Sequence, residues 1–552
     1  MNKKSTLTPM LFTSLKGYTK EQAVKDVISG VIVAIIALPL SIALALASGV
    51  TPEQGLYTAI IAGFLISFFG GSRVQIAGPT AAFATIVAGI VYRNGMAGLV
   101  VATVIAGILL ILMGVFRLGT LIKFIPYTIT TGFTAGIAVT IVIGQLKDFF
   151  GIRYMNGETP IETVDKIKAI VSNFGTVNLQ AVIVGAVCLA VLIIWPKISE
   201  KIPGSLIAVI IGIVMVSVLK LKANTIGDLY TISSALPKLT IPKVTYAVVR
   251  ESLGDGFTIA VLAAIESLLS CVVSDSMINS KHNSNMELVA QGIGNIGSAL
   301  FGGIPATGAI ARTAANIKNG GKTPVAGMVH AVILLLVLVL LMPYAALIPM
   351  PTIAAILFMV AWNMCGLSTF VHLLKTAPKS DVVVLVITFV LTVVFDLVVA
   401  IGVGLVMAMV LFLKRISDET QVLGWKYYDE NEDDPESVEL MKIPQYVRVY
   451  AFNGPMFFGV SDLTGTIRLK DFTRCLDIRM RGVPSLDATA INALENLYKR
   501  CEKNNVKLVL SHLNEQPYAA LKKAGFIDMV GEDNCCPHIE DAIARATELG
   551  RE

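Results

Sequence analysis

The 552 residues are 55% hydrophobic and only 15% charged, with a mean hydropathy of +0.73, whereas a soluble domain carries about 25% charge. The net charge of +5 is spread without a soluble cluster of Lys and Arg, which argues against nucleic-acid binding. The seven cysteines include none in an expected external loop, so no disulfide framework is predicted, and Cys535–Cys536 lacks the spaced partner of a zinc site.

In chain order, residues 1–26 are polar and basic. MNKKSTLTPM lacks the apolar core and cleavage site of a signal peptide, so a cytoplasmic N-terminal arm is expected. Residues 27–415 form a membrane domain. With about 20 apolar residues per spanning helix, clear spans fall near 28–48, 53–69, 96–116, 125–145, 178–195, 203–219, 255–275, 324–342, 380–396 and 399–414. Shorter or interrupted ones fall at 79–92, 288–301 and 306–318, and one near 351–365 precedes an amphipathic stretch.

The predicted fold class is therefore a polytopic α-helical membrane protein of fourteen transmembrane segments. They divide as seven plus seven, the inverted repeat of many secondary transporters. The short loops near Arg73, Arg117, Lys123, Lys197, Lys201, Lys281, Lys318, Lys322, Lys375, Lys379, Lys414 and Arg415 all fall on one side. The short opposite connections 49–52 and 343–350 have no Lys or Arg, which predicts both termini cytoplasmic.

Residues 416–440, with the acidic run DENEDDPES at 429–437, read as a linker. In residues 441–552, YVRVYAFNGPMFFGV predicts two strands around a turn at Asn453–Gly454. The strands LDIRM and VKLVLS follow. The helices are LDATAINALENLYKRCEKN, with Asp487 as N-cap, QPYAALKKAGF and HIEDAIARATEL. Strands alternating with helices predict a small α/β domain.

The chemistry concentrates in two broken spans, RVQIAGPTAAFATIVAGI (73–90) and LFGGIPATGAIARTAANI (300–317). Each is the third span of its half. Each has a short extended run, then Gly and Pro, then a helix of small residues. Non-helical backbone at membrane depth survives only where protein or a water-filled cavity satisfies it. A matched pair of such breaks points to a binding site. Pro79 and Pro305 are expected at or just before the first helical turn. Two facing helix N-termini make an anion site from backbone alone. Arg312 adds a full positive charge about a turn and a half into the second helix. Its bland alternative is a structural pair with a carbonyl or with Glu266.

Glu266, in FTIAVLAAIESLLSCVV, is ringed by apolar residues. Such an acid beside an anion site can carry a coupling proton, or hold sodium with Ser267 or Ser270. Its bland alternative is a structural acid bonded to Ser270 or backbone. His330 reads as a packed helix histidine, and Asp396 as a solvated turn residue.

PEQGLYTAIIAGFLISFFGGSR (52–73) resembles the sulfate-permease signature, with Gln54 where that signature has an aromatic residue. Across nearly the whole chain the sequence is similar to the SulP/SLC26 anion transporters, and its C-terminal part looks like a STAS domain. The resemblance implies core and gate domains, elevator-like alternating access and a homodimer. ALPLSIALALASGVTPEQGLYTAI, GPTAAF, AAIESLL, MELVAQGIGNIGSALFGGIPATGAIARTAAN and MVAWNM look closest to the bacterial dicarboxylate-transporting branch. Carried onto this chain, the family's pocket consists of Leu40, Leu44, Thr80, Ala81, Ile310, Ala311 and Arg312, with Glu266 and Ser270 as the coupling residues. Leu40 stands where many sulfate members have Gln. Soluble STAS relatives carry a phosphorylated serine at a D-S-S/T-G motif. Here Asp487–Ala490 reads DATA, which points to a packing and assembly role, with a cytoplasmic protein partner as the alternative.

The expectation is an inner-membrane, proton-coupled symporter of a C4-dicarboxylate, with no cofactor. Sodium–bicarbonate symport comes second and sulfate third. A passive anion channel is the rival class. An intramembrane enzyme is not expected, since no metal-ligand cluster or Ser/His pair accompanies Glu266.

Overall fold

The computed structural model describes residues 7–120, 125–154, 160, 162–199, 202–240, 245–395, 397–424, 443–459, 465 and 467–551. The acidic run 429–437 and Asp396 lie outside these. The chain separates into two compact units, residues 1–405 and 406–552.

The first unit opens with α1 (Met10–Ser14) and α2 (Lys20–Ala47), whose N-cap Thr19 accepts from the Gln22 amide. α3 (Pro52–Phe69) starts from a capping box of Thr51 and Gln54, with Pro52 where no N–H is needed. The two-residue strand β1 (Ala77–Gly78) leads into α4 (Ala81–Val115). α4 holds two predicted spans, joined at Gly95, whose φ of 63° breaks the helix. Then come α5 (Tyr127–Phe150), α6 (Thr163–Ser172), α7 (Leu179–Ile198), α8 (Gly204–Ser217) and the single turn α9 (Ile226–Leu229).

The second half runs α10 (Tyr246–Ile278), α11 (Ser284–Leu300), β2 (Thr307–Gly308), α12 (Ile310–Lys318) and α13 (Val325–Ala345). It continues with α14 (Met350–Cys365), the amphipathic α15 (Leu367–Thr376), α16 (Lys379–Val394) and α17 (Leu397–Glu419). Every predicted span has a helix. Among the described residues, eight helices are long and apolar enough to cross a membrane on their own.

The interior is a continuous apolar cluster including Ala37, Ile42, Phe83, Leu99, Phe133, Ile259, Leu334 and Leu357. The outward faces stay apolar too, with Leu336, Val339 and Leu340 exposed on α13, as lipid requires. Helices approach closely through small residues. A Cβ on Gly107 of α4 would lie 2.7 Å from the Gly292 carbonyl oxygen of α11.

The second unit carries a five-stranded sheet in the order β3 (Gln421–Gly424), β4 (Val447–Asn453), β5 (Cys475–Gly482), β6 (Lys507–Ser511) and β7 (Cys535–Cys536). β3 is antiparallel to β4 and the rest are parallel. Its helices are α18 (Ala488–Lys503), α19 (Glu515–Lys523), α20 (Phe526–Val530) and α21 (Ile539–Leu549). One sheet face buries Phe452, Leu476, Ile478, Leu494, Leu508 and Phe526. The other buries Val447, Val449, Cys475, Val509, Ile539 and Ala542.

Two expectations change here. The hairpin around Asn453–Gly454 does not form. The Gly454 amide donates to the Gly482 carbonyl, and the chain continues parallel to its neighbour, bridging Met456 with Leu486. The antiparallel partner of β4 is β3, which lies inside the stretch 416–440 read as linker, as does the end of α17. A four-residue strand, QVLG, is too short to announce itself by alternation.

Candidate functional site

The two broken spans meet. β1 and β2 pair antiparallel, Ala77 with Gly308 and Gly78 with Thr307. The chains leaving this ladder run in opposite directions, so α4 and α12 both begin at the crossing. The crossed backbone would be costly in a membrane without partners, and side chains supply them. Ahead of β1, Asn316 Nδ2 donates to the Val74 carbonyl (2.8 Å) and the Ile76 amide donates to Thr313 Oγ1 (3.0 Å). Ahead of β2, the Ile304 amide donates to Thr58 Oγ1 (2.7 Å), and Asn295 exchanges two hydrogen bonds with the Ala306 backbone (2.8 and 2.9 Å). Gly302, at φ 79°, turns the chain out of α11. Pro305 departs from expectation. It lies in this extended approach, five residues before α12, because β2 takes the intervening positions.

Neither helix start is capped by a side chain. Thr80 is the N-cap of α4, but its hydroxyl donates to Glu266 Oε2 (3.0 Å) rather than accepting from a first-turn amide. The N-cap of α12 is Ala309, which has no cap to offer. The Phe83 amide turns back to the Thr80 carbonyl (3.2 Å), but among the described residues the first two amides of α4 and the first-turn amides of α12 keep their donors, and both helices keep their positive ends.

Around this crossing, Thr80 and Glu266 are half-buried, Ala81 is buried, and Ile310 and Ala311 are exposed. Leu40 is half-buried against the apolar interior. Leu44 is buried within that interior. Arg312 is buried, and its Nη2 donates to the Pro79 carbonyl (2.8 Å). The guanidinium thus sits behind the start of α4, with Nη1 unpartnered among the described residues. The geometry contains the carbonyl pairing that was its bland alternative, and still places a full charge beside the α4 N-terminus. Ser270 is buried, one turn from Glu266, and its hydroxyl has no partner among the described residues. His330 is buried in α13, and neither ring nitrogen has a partner among the described residues.

Ser267, read from the sequence as a cation ligand beside Glu266, instead has its Oγ 2.6 Å from Thr307 Oγ1 and accepts from the Gly308 amide at 3.1 Å, fastening β2 to α10. Several other residues escaped the sequence reading. Gln75, Thr58 and Asn295 hold the approaches. A signal was present: Glu287, Gln291 and Asn295 recur every four residues along α11, a polar stripe in an apolar span.

Paired half-helices with open N-termini, crossed at a short ladder and flanked by a carboxylate and a guanidinium, are the architecture expected of an anion transporter. Known proteins agree. Residues 24–388 match the sulfate permease family and residues 440–542 the STAS domain. YvdB of Bacillus subtilis (strain 168), named as a candidate sulfate transporter, is 40% identical over 531 residues, covering 95% of this chain and 98% of that protein. The bicarbonate transporter BicA of Synechocystis sp. (strain ATCC 27184 / PCC 6803 / Kazusa) is 30% identical over 540 residues, 94% of each chain. The fold is that of the murine Slc26a9 anion transporter, with a TM-score of 0.87 at 18% identity over 99% of this chain and 96% of that one. The chain belongs to the sulfate permease (SulP/SLC26) family of anion transporters, a family of transporters and not enzymes, and it carries a C-terminal STAS domain.

Proposed function

We propose that the protein imports a small carboxylate anion, with C4-dicarboxylates as the leading class, coupled to protons through Glu266. The observation that carries the reading is the pair of uncapped helix starts with Glu266 hydrogen-bonded to one of them. An anion reaching Ala81 and Ala311 would take the free amides and the field of Arg312. Glu266 is close enough to Thr80 for its charge to oppose that anion, so protonation on loading would relieve the repulsion. The core would then carry site and anion across as an elevator. A homodimer in the cell membrane with both termini cytoplasmic completes the reading. The STAS domain would serve assembly, or dock a cytoplasmic partner.

Sodium-coupled bicarbonate symport is the second reading. It is favoured by the unpartnered Ser270 hydroxyl one turn from Glu266, an oxygen ligand for a cation, and by the bicarbonate transporter among the relatives. Sulfate is the third, on the name of YvdB, against the apolar Leu40.

The test is uptake of labelled fumarate, bicarbonate and sulfate into proteoliposomes, with proton and sodium gradients imposed separately. Fumarate accumulation driven by ΔpH and lost in Glu266→Gln is expected. Accumulation driven by sodium alone would move the assignment to the second reading. Downhill flux indifferent to both gradients and to Glu266→Gln would make the protein a channel.

A further inference from the structure

We infer that Glu287 is a buried anionic clamp, a positioning residue that sets the first half-helix against the coupling acid. Its consequence for uptake rests on the transport reading above; the clamp itself does not. Glu287 lies in the first turn of α11 and is fully buried. Its Oε2 accepts from the backbone amides of Gly71 (2.9 Å) and Ser72 (3.2 Å). Its Oε1 accepts from Gln75 Nε2 (2.9 Å) and Gln291 Nε2 (2.8 Å). Among the described residues it has no ion-pair partner.

The donor set identifies the charge state. Two of the four donors are backbone amides. The Gln75 amide is oriented independently, because its Nε2 also donates to the Ser267 carbonyl (3.3 Å), which can only accept. Both carboxylate oxygens therefore face N–H groups, an arrangement that suits a deprotonated acid and that a neutral amide cannot reproduce. The helix start beneath it favours the same negative charge.

The clamp leads to the site. Gln75 Oε1 accepts from Cys271 Sγ at 3.2 Å. One side chain thus ties Glu287 to two positions of α10, one of them directly after Glu266. Gln75 is also five residues ahead of Thr80, in the extended approach to β1, the strand that leads to Thr80. Glu287 consequently fixes both partners of the Thr80–Glu266 bond, Thr80 through the 71–75 backbone and Glu266 through α10. Its fit is tight: a Cβ on Gly71 would lie 2.8 Å from the Glu287 amide nitrogen.

The test uses the full chain with Cys271 and Cys188 as its only cysteines. Cys188 is buried in α7 against Ala208 and Thr352, away from the clamp, and reports global loosening. In Glu287→Gln, labelling of Cys271 by a small permeant thiol reagent should rise at least tenfold while Cys188 stays protected. The KM for whichever of fumarate, bicarbonate or sulfate is taken up should rise about tenfold, with Vmax within twofold; a purely structural defect would lower Vmax and leave KM. Gln75→Leu, which keeps the backbone half of the clamp, should expose Cys271 equally and decides the matter if the Glu287 variant does not assemble. Cys271 remaining protected, Cys188 opening in parallel, or an unchanged KM overturns the inference. If none of the three anions is transported by the unaltered protein, the functional reading fails while the thiol result still judges the clamp.

Discussion

Replacing Arg312 tests whether its charge would hold an anion or whether it only braces the Pro79 carbonyl. Its Nη2 is 2.8 Å from the Pro79 oxygen, which puts the charge roughly 8 Å from an anion on the α4 first-turn amides, two peptide units on. At an effective dielectric constant of about 20, one positive charge at that range stabilises a monovalent anion by roughly 2 kcal/mol and a divalent one by roughly 4. Arg312→Gln should therefore raise KM about 30-fold for bicarbonate but up to about 1,000-fold for a dianion such as fumarate or sulfate. Arg312→Lys, keeping the charge, should stay within about fivefold. The assay is initial-rate uptake into proteoliposomes across substrate concentration, at matched protein insertion. Equal losses for Lys and Gln, or equal KM changes for monovalent and divalent anions, would refute the electrostatic account and leave Arg312 as a brace for the Pro79 carbonyl.

Two further outcomes follow from buried polar groups. Asn295→Leu strands the Ala306 amide and carbonyl in the interior, at a cost of about 2–5 kcal/mol. Folded protein recovered by size-exclusion chromatography should fall sharply; full recovery would contradict the bonding. In the second unit, burial pushes the Asp477 carboxyl in β5 up to about 7, against one hydrogen bond from Ser511 Oγ at 2.9 Å. Unfolded, the same group titrates near 4. The unfolded chain thus loses this proton first, and stability declines as pH rises from about 4 to about 7, by at most roughly 4 kcal/mol. Asp477→Asn should flatten that decline, read by urea-dependent labelling of buried Cys501 in the full-length protein. An identical pH slope in both proteins would show that Asp477 does not set it.

Much of the membrane domain was legible because lipid imposes a simple rule: a helix must be apolar over its length or be protected. Residues such as Leu336 and Leu340 obey that rule singly. The breaks at Ala77–Thr80 and Gly302–Ala309 stood out because Gly and Pro cluster there beside short extended runs, whereas single ones such as Pro39 stay inside a helix, and their matched positions predicted a crossing. The second unit was less legible. Its β3 is four residues long and pairs with β4 across the acidic run, so no local pattern could join them.

Composition, periodicity and the paired breaks determined a polytopic helical domain with an anion-friendly crossing and a separate α/β domain, because each depends on local chain properties. Tertiary structure alone decided where the side chains point. Thr80 could have capped its own helix, yet its hydroxyl goes to Glu266, 186 positions away. Arg312 could have faced the two helix starts directly, yet its guanidinium lies behind Pro79, bonded to that carbonyl. Nothing local to the sequence marks Glu287 out from the polar stripe of α11, yet four N–H groups converge on it. Hydrogen bonds between groups this far apart in the chain have no local periodicity, and they form only when packing brings donor and acceptor together.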